Sequence, residues 1–240
     1  MSLRLECKKV KRTGFFPAFI VGGLLVAVVP VVNMAVRAEI YIGLEGSPIQ
    51  ILMDANWQLM AMLNVLLIVA GACLMYHTEY ADNAIQKMCM LPIREQNLFF
   101  GKFILLAVMG IVILTLEALG IAFGSLHWFE IPTGFMLELL KSFGYAFVLM
   151  LPAAFLSLLI ASLCSYLWVS LGIGVICVFM ATMLPADNFV LSVFPFALPF
   201  QILAGAAETT IRNRMLAGAG EMVIIAVAES LLLKVRRSME

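Results

Sequence analysis

Apolar residues run through this chain in long blocks, with polar residues gathered in short clusters between them. Six blocks stand out, at about 15–36, 57–76, 103–124, 139–162, 167–185 and 215–233. Each is close to the ~20 residues that carry an α-helix across the hydrocarbon core of a bilayer. The short alternating segments of a transmembrane barrel are missing. The pattern predicts an all-α polytopic membrane protein: six transmembrane helices in a single domain spanning 1–240, with no internal repeat or linker. Composition agrees, since 63% of the 240 residues are hydrophobic and only 12% charged. A formal charge of zero, with no basic patch interleaved with aromatics, gives nucleic acid nothing to bind.

The polar clusters set the orientation. An even number of spans puts both termini on one side of the membrane. Eleven of the fifteen Lys and Arg residues then share that side, and only Arg37, Lys141, Arg212 and Arg214 face the other. The positive-inside rule makes the first side cytoplasmic. Most acids fall outside: Glu39, Glu45, Asp54, Glu130, Glu138, Asp187, Glu208 and Glu221. Cys7, Cys89 and Cys164 fall inside and Cys73 and Cys177 within spans, so no exported disulfide framework is indicated. The basic start (Arg4, Lys8, Lys9, Lys11, Arg12) precedes an apolar run longer than a signal h-region, which reads as a retained first span.

Three connections carry information. Residues 37–56 hold a Gly-Ser-Pro turn and suit a short extended piece. Residues 186–213 are apolar but punctuated around Pro185, Pro195 and Pro199, which interrupt a helix. This outer segment is either re-entrant, dipping into the outer leaflet, or an ordinary long loop. The third is HTEYADNAIQKMCMLPIREQNLFFGK, residues 77–102. A helix from Glu79 to Met90 would gather Tyr80, Ala81, Ala84, Ile85, Met88 and Cys89 on one face and Glu79, Asp82, Asn83, Gln86 and Lys87 on the other. Thr78 suits its cap, and Pro92 ends it. Such a helix lies flat under the membrane, either as a lever for a soluble motor or as a connector sealing the inner surface. Pattern alone favours the connector.

Within the spans, Glu117 and Asn64 are the polar residues of interest. Glu117 lies 15 residues past Lys102, or roughly 22 Å along a helix. It either lines a transport path, with Asn64, or is a protonated acid bonded to a neighbouring span. Asn64 also suits interhelical glue, and Gly120 and Gly124 form a G-x-x-x-G pair consistent with close packing. No G-x-x-x-x-G-K-[ST] is present to cradle nucleotide phosphates, and no G-x-S-x-G or H-E-x-x-H to support a hydrolase. His77 and His127 fall on opposite sides, which rules out a paired-His metal site.

The stretch from Glu79 to Pro92, followed by Phe-Phe-Gly-Lys, resembles the loop between the second and third spans of ABC-2-type transporter permeases. The likeness is greatest to the permease subunits of lantibiotic-immunity and bacitracin-type exporters. It rests on Glu79, Ala84, Lys87, Leu91, Pro92 and Lys102; length and layout extend it over the chain, and residues 186–213 match the family's outer re-entrant hairpin by position alone. The resemblance implies that residues 77–92 hold a coupling helix seated on an ATPase, with Glu79, Asn83, Ala84, Lys87, Leu91 and Pro92 at the interface. It implies an amphipathic elbow helix over 1–14, in place of a simple basic anchor.

The implied partners are a pair of ABC ATPase subunits, which hold ATP and Mg, and a second permease subunit, same or homologous, with a heterodimer preferred. Membrane lipid and a peptide cargo complete the set; the chain itself needs no cofactor, no metal and no catalytic residue. The implied function is a permease of an ATP-driven exporter in the bacterial plasma membrane, both termini cytoplasmic, expelling a lantibiotic-like antimicrobial peptide. A permease for a drug, lipid or other small molecule is the alternative within transport. An ATPase-independent membrane immunity or binding protein is the alternative outside it.

Overall fold

The computed structural model describes residues 2–11, 13–81, 95–184, 189–205 and 207–239. The described residues are helical, with no strand among them: α1 (Ser2–Val10), α2 (Phe15–Tyr41), α3 (Pro48–Ala81), α4 (Glu95–Trp128), α5 (Phe135–Leu163), α6 (Leu167–Met183), α7 (Phe189–Ser192) and α8 (Glu208–Met239), with a single 3₁₀ turn at Leu198–Phe200. Helix α3 is central and touches α2, α4, α5 and α6; α5 in turn carries α8. Trp57, Met60, Ile68 and Met75 of α3 are fully buried. The outer surface is apolar instead, with Leu25 66% and Val36 75% exposed. Apolar residues covering both inside and outside of a helix bundle need lipid around them.

Among the described residues, four helices, Phe15–Tyr41, Pro48–Tyr80, Leu98–Trp128 and Phe135–Leu163, are long and apolar enough to cross a bilayer. The next, α6, has 17 residues. At 1.5 Å per residue it reaches about 25 Å, just short of a ~30 Å hydrocarbon core. Helix α8 is longer, with 32 residues, but charges interrupt it. Arg212, Arg214 and Glu221, read from the sequence as outer-loop residues, all lie inside α8.

The connection expected to hold an extended piece is shorter and helical on both sides. Helix α2 runs to Tyr41 and α3 starts at Pro48. The Gly-Ser-Pro turn is a helix cap: the Gln50 backbone N–H donates to Ser47 Oγ at 3.2 Å, and Pro48 takes the first helical position, where a missing N–H costs nothing. Ser47 Oγ also donates to Glu138 of α5. At the other end of α2, Gly14 adopts φ +77° with open space around it. The left-handed backbone, accessible to glycine at little cost, turns the chain sharply from α1 into α2.

Two contacts explain how the bundle closes. Gly120 of α4 lies so near α2 that an added Cβ would stand 2.3 Å from the Ala27 carbonyl oxygen, while Gly124 meets Leu52 of α3. The G-x-x-x-G pair therefore packs against two different helices. The proline-broken segment tucks back into the protein. Phe196, Ala197, Leu198 and Pro199 are buried, and Trp57 Nε1 donates to the Pro199 carbonyl at 3.0 Å. Trp57 sits nine residues into α3, about 14 Å from its start. Protein covers this non-helical backbone, the condition under which such backbone persists at depth.

Candidate functional site

At the α1 end of the bundle, four charged side chains form a ring. Lys102, the eighth residue of α4, donates to Glu79 Oε1 at 2.6 Å and to Glu6 Oε2 at 3.0 Å. Lys9 donates to the same Glu79 oxygen at 2.9 Å and to Glu6 Oε1 at 3.1 Å. Positive and negative groups alternate, so the ring is neutral. Lys102 and Glu6 are 1% exposed and Glu79 5%, while the Lys9 side chain is one-third exposed. The Tyr76 ring lies 5.2 Å from the Lys102 ammonium, a cation–π contact that covers its remaining side. Half-burial works against the ammonium of Lys9, but the carboxylates of Glu79 and Glu6 outweigh it and hold its pKa above the usual lysine value.

Helix periodicity places each member. Glu6 and Val10 are one turn apart on α1, and both are buried against α3 and α4. Tyr76 and Glu79 are three residues apart in the last turns of α3, so they share a face. Nearby, Tyr80 Oη donates to the Ser162 carbonyl of α5 at 2.6 Å, and Ser162 Oγ donates to Glu229 of α8 at 3.2 Å. All five of these helices are thus joined by polar contacts at one end of the molecule.

Glu79 differs from its expected setting. It closes α3 and faces into protein rather than opening a separate flat helix with its side chain in water. Thr78 does not cap a new helix either; its hydroxyl donates to the Met75 carbonyl within α3. Asn83, Ala84, Lys87, Leu91 and Pro92 lie outside the described residues, as does Cys89. Lys102, the last position of the resemblance, is the centre of the ring. Glu6, Lys9 and Tyr76 were missed. The signal for Glu6 was present: in LRLECKKV it shares a 3–4 spacing with Leu3, Cys7 and Val10, a carboxylate among apolar positions.

The second pair is buried deeper. Asn64 Nδ2 of α3 donates to Glu117 Oε2 of α4 at 3.1 Å, and both residues are at most 2% exposed. Their other oxygens, Asn64 Oδ1 and Glu117 Oε1, are buried without a hydrogen bond. The two residues expected to line a path therefore meet each other within the bundle wall. At the far end, a cleft of about 590 Å³ lies between the 46–48 and 129–134 turns, with Glu130 and Glu138 at its rim.

Long helices, apolar both on their outer surface and in their packed core, with a charge-balanced ring at one end, define a multi-pass membrane protein. Its charged ring braces the two helices from which residues 82–94 leave and return. The chain belongs to the ABC-2 family of transporter proteins, whose family model, described as ABC-2 family transporter protein, matches residues 2–181. That span takes in α1 to α6 up to Ala181 and includes the whole ring. Neither a curated protein nor a solved structure matches. As a permease of this family the chain is a membrane-embedded transport subunit, of the kind that works with an ABC ATPase.

Proposed function

We propose that this chain is the permease half of an ATP-driven exporter that removes a lantibiotic-like antimicrobial peptide from the bacterial plasma membrane. Six helices cross the bilayer in this reading, α2 to α6 and α8, with both termini cytoplasmic. Asn83, Ala84, Lys87, Leu91 and Pro92 contact the ATPase, which holds ATP and Mg. A second permease, same or homologous, completes the transporter. An amphipathic cationic peptide partitions into the outer leaflet and meets the acids of the outer rim, Glu130 and Glu138.

The observation that carries this reading is the meeting of Glu79 and Lys102. Two positions of the family resemblance flank residues 82–94 and are bonded to one another, so the intervening segment is held on a braced stem. The test is expression of the chain with its ATPase. Co-purification of the two is expected, together with ATPase-dependent cell survival at raised lantibiotic concentration. Resistance that persists with the ATPase deleted would sink the proposal in favour of an ATPase-independent immunity protein.

A second reading within transport also has support. An apolar groove of about 450 Å³ opens to the lipid-facing side between α4 and α5, lined by Leu114, Met136, Leu140, Phe143 and Gly144. A groove with this lining favours a lipid or another small amphiphile as cargo. Survival unchanged by peptide, with ATP-dependent movement of a fluorescent lipid in vesicles, would select this reading.

A further inference from the structure

We propose that α1 is a working part of the coupling apparatus: through Glu6 it clamps the end of α3 to the start of α4, so that a push on residues 82–94 moves both helices as one piece. This rests on the transporter reading above and adds a mechanical element to it. A segment joining two helices transmits force into the membrane only if those helices resist being spread apart. Covalent connection alone does not ensure that, because the two stems can splay and absorb the displacement. The ring supplies a crosstie. Lys102 on α4 bonds Glu79 on α3 directly, and Glu6 and Lys9 on α1 bridge the same two residues from a third side.

The design of α1 fits this role. Nine residues are too few for an independent helix in water, so tertiary contact must hold it. That contact is its Glu6–Val10 face, and the described charges of that face point into the ring. Buried ion pairs contribute little net stability, since desolvation offsets most of the Coulomb attraction. Their best-attested use is to fix one arrangement among several. Here the arrangement fixed is the separation of two helix ends.

The test uses the assembled transporter, chain plus ATPase, in lipid vesicles. Glu130, exposed at the far end, is replaced by Cys and labelled with a membrane-impermeant maleimide, with and without Mg·ATP. In the parent chain ATP is expected to change the labelling rate about threefold or more, as it shifts the population between two states. Glu6→Gln should reduce that change to below about 1.5-fold, with complex assembly and the KM for ATP unaltered. The Glu6→Gln/Lys9→Gln double variant should be equally silent. It leaves the neutral Glu79–Lys102 pair in place and removes only the arm from α1, and it should still co-purify with the ATPase as the parent does. Lys8→Ala, exposed on α1 and outside the ring, should respond as the parent does.

Recovery of the ATP response in the double variant would overturn the clamp, because charge balance alone would then suffice. So would loss of the complex with the ATPase in the double variant, or a silent Lys8→Ala, each of which assigns α1 a general structural role. Failure of the parent chain to bind the ATPase, or to respond to ATP at all, strikes the transporter reading itself and is told apart by the parent alone.

Discussion

A single ammonium decides how much the α1 end of the bundle tolerates. Lys102 is fully buried and is shared by two buried carboxylates, whereas Lys9 reaches solvent. Among the described residues, removing Lys102 leaves Glu6 and Glu79 paired with the one-third-exposed Lys9. Breaking a buried pair costs about 3–5 kcal/mol, while a half-exposed pair is worth about 1 kcal/mol or less. Thermal unfolding in detergent should therefore separate Lys102→Met, with a large fall in midpoint, from Lys9→Met, with a small one. Equal falls would contradict the burial of Lys102. At Asn64 and Glu117 the geometry is different, because the pair already leaves an oxygen unpartnered on each side. Glu117→Leu strands the Asn64 amide at a cost of about 1–3 kcal/mol, and adding Asn64→Leu should return part of it. Additive losses in the double variant would mean the two residues do not act as a pair.

Between elements, α4 approaches α2 tightly at Gly120, and the contact there is backbone, which cannot rotate away. Gly120→Val should destabilise by about 1–3 kcal/mol through overpacking. Gly144, on the lipid-facing side of α5, has nothing within 4 Å of an added Cβ, so Gly144→Ala should be neutral or gain the ~1 kcal/mol of helix propensity. Melting curves of the two variants give the comparison directly. The broken segment behaves as an element through one anchor. Trp57→Phe keeps the aromatic bulk and loses the bond to the Pro199 carbonyl. Faster amide exchange across 198–205 is expected, with α3 itself unchanged; unchanged exchange would show that packing of Phe196 and Leu198 suffices.

For the whole molecule, the chain's two kinds of end have different chemistry. The α1 end carries the ring, Tyr80, Ser162 and Glu229; the far end carries the Ser47–Glu138 bond, the Trp57 anchor and the Glu130 cleft. The proposed topology makes Lys8 and Tyr166 cytoplasmic and Gly43 and Glu130 external. Cysteines placed at these four exposed positions should label in two groups from opposite faces of intact cells. Labelling of Tyr166→Cys together with Glu130→Cys would overturn the topology. Much of this layout was legible in the chain, because spans announce themselves by length and hydropathy. The boundaries were less so: α3 starts nine residues before its apolar block, at a Ser-Pro cap, and continues through Glu79 past the first polar residues. Polar residues at both ends of that helix are held by neighbours rather than by water, and periodicity cannot see a neighbour.

The linear order of residues by itself determined the class and the membership. Runs of apolar side chains have one stable solvent, and the Glu79–Lys102 stretch already resembled a permease loop. What only the tertiary structure decided is who meets whom. Glu6 reads as one acid in a basic start until folding brings it from 96 residues away onto Lys102. Asn64 and Glu117, 53 residues apart, become partners only when α3 and α4 pack. The reason is physical: burying a charge or an amide in an apolar bundle is unfavourable unless a complementary group arrives at the same depth. Depth and facing are properties of packed helices, not of their sequence order.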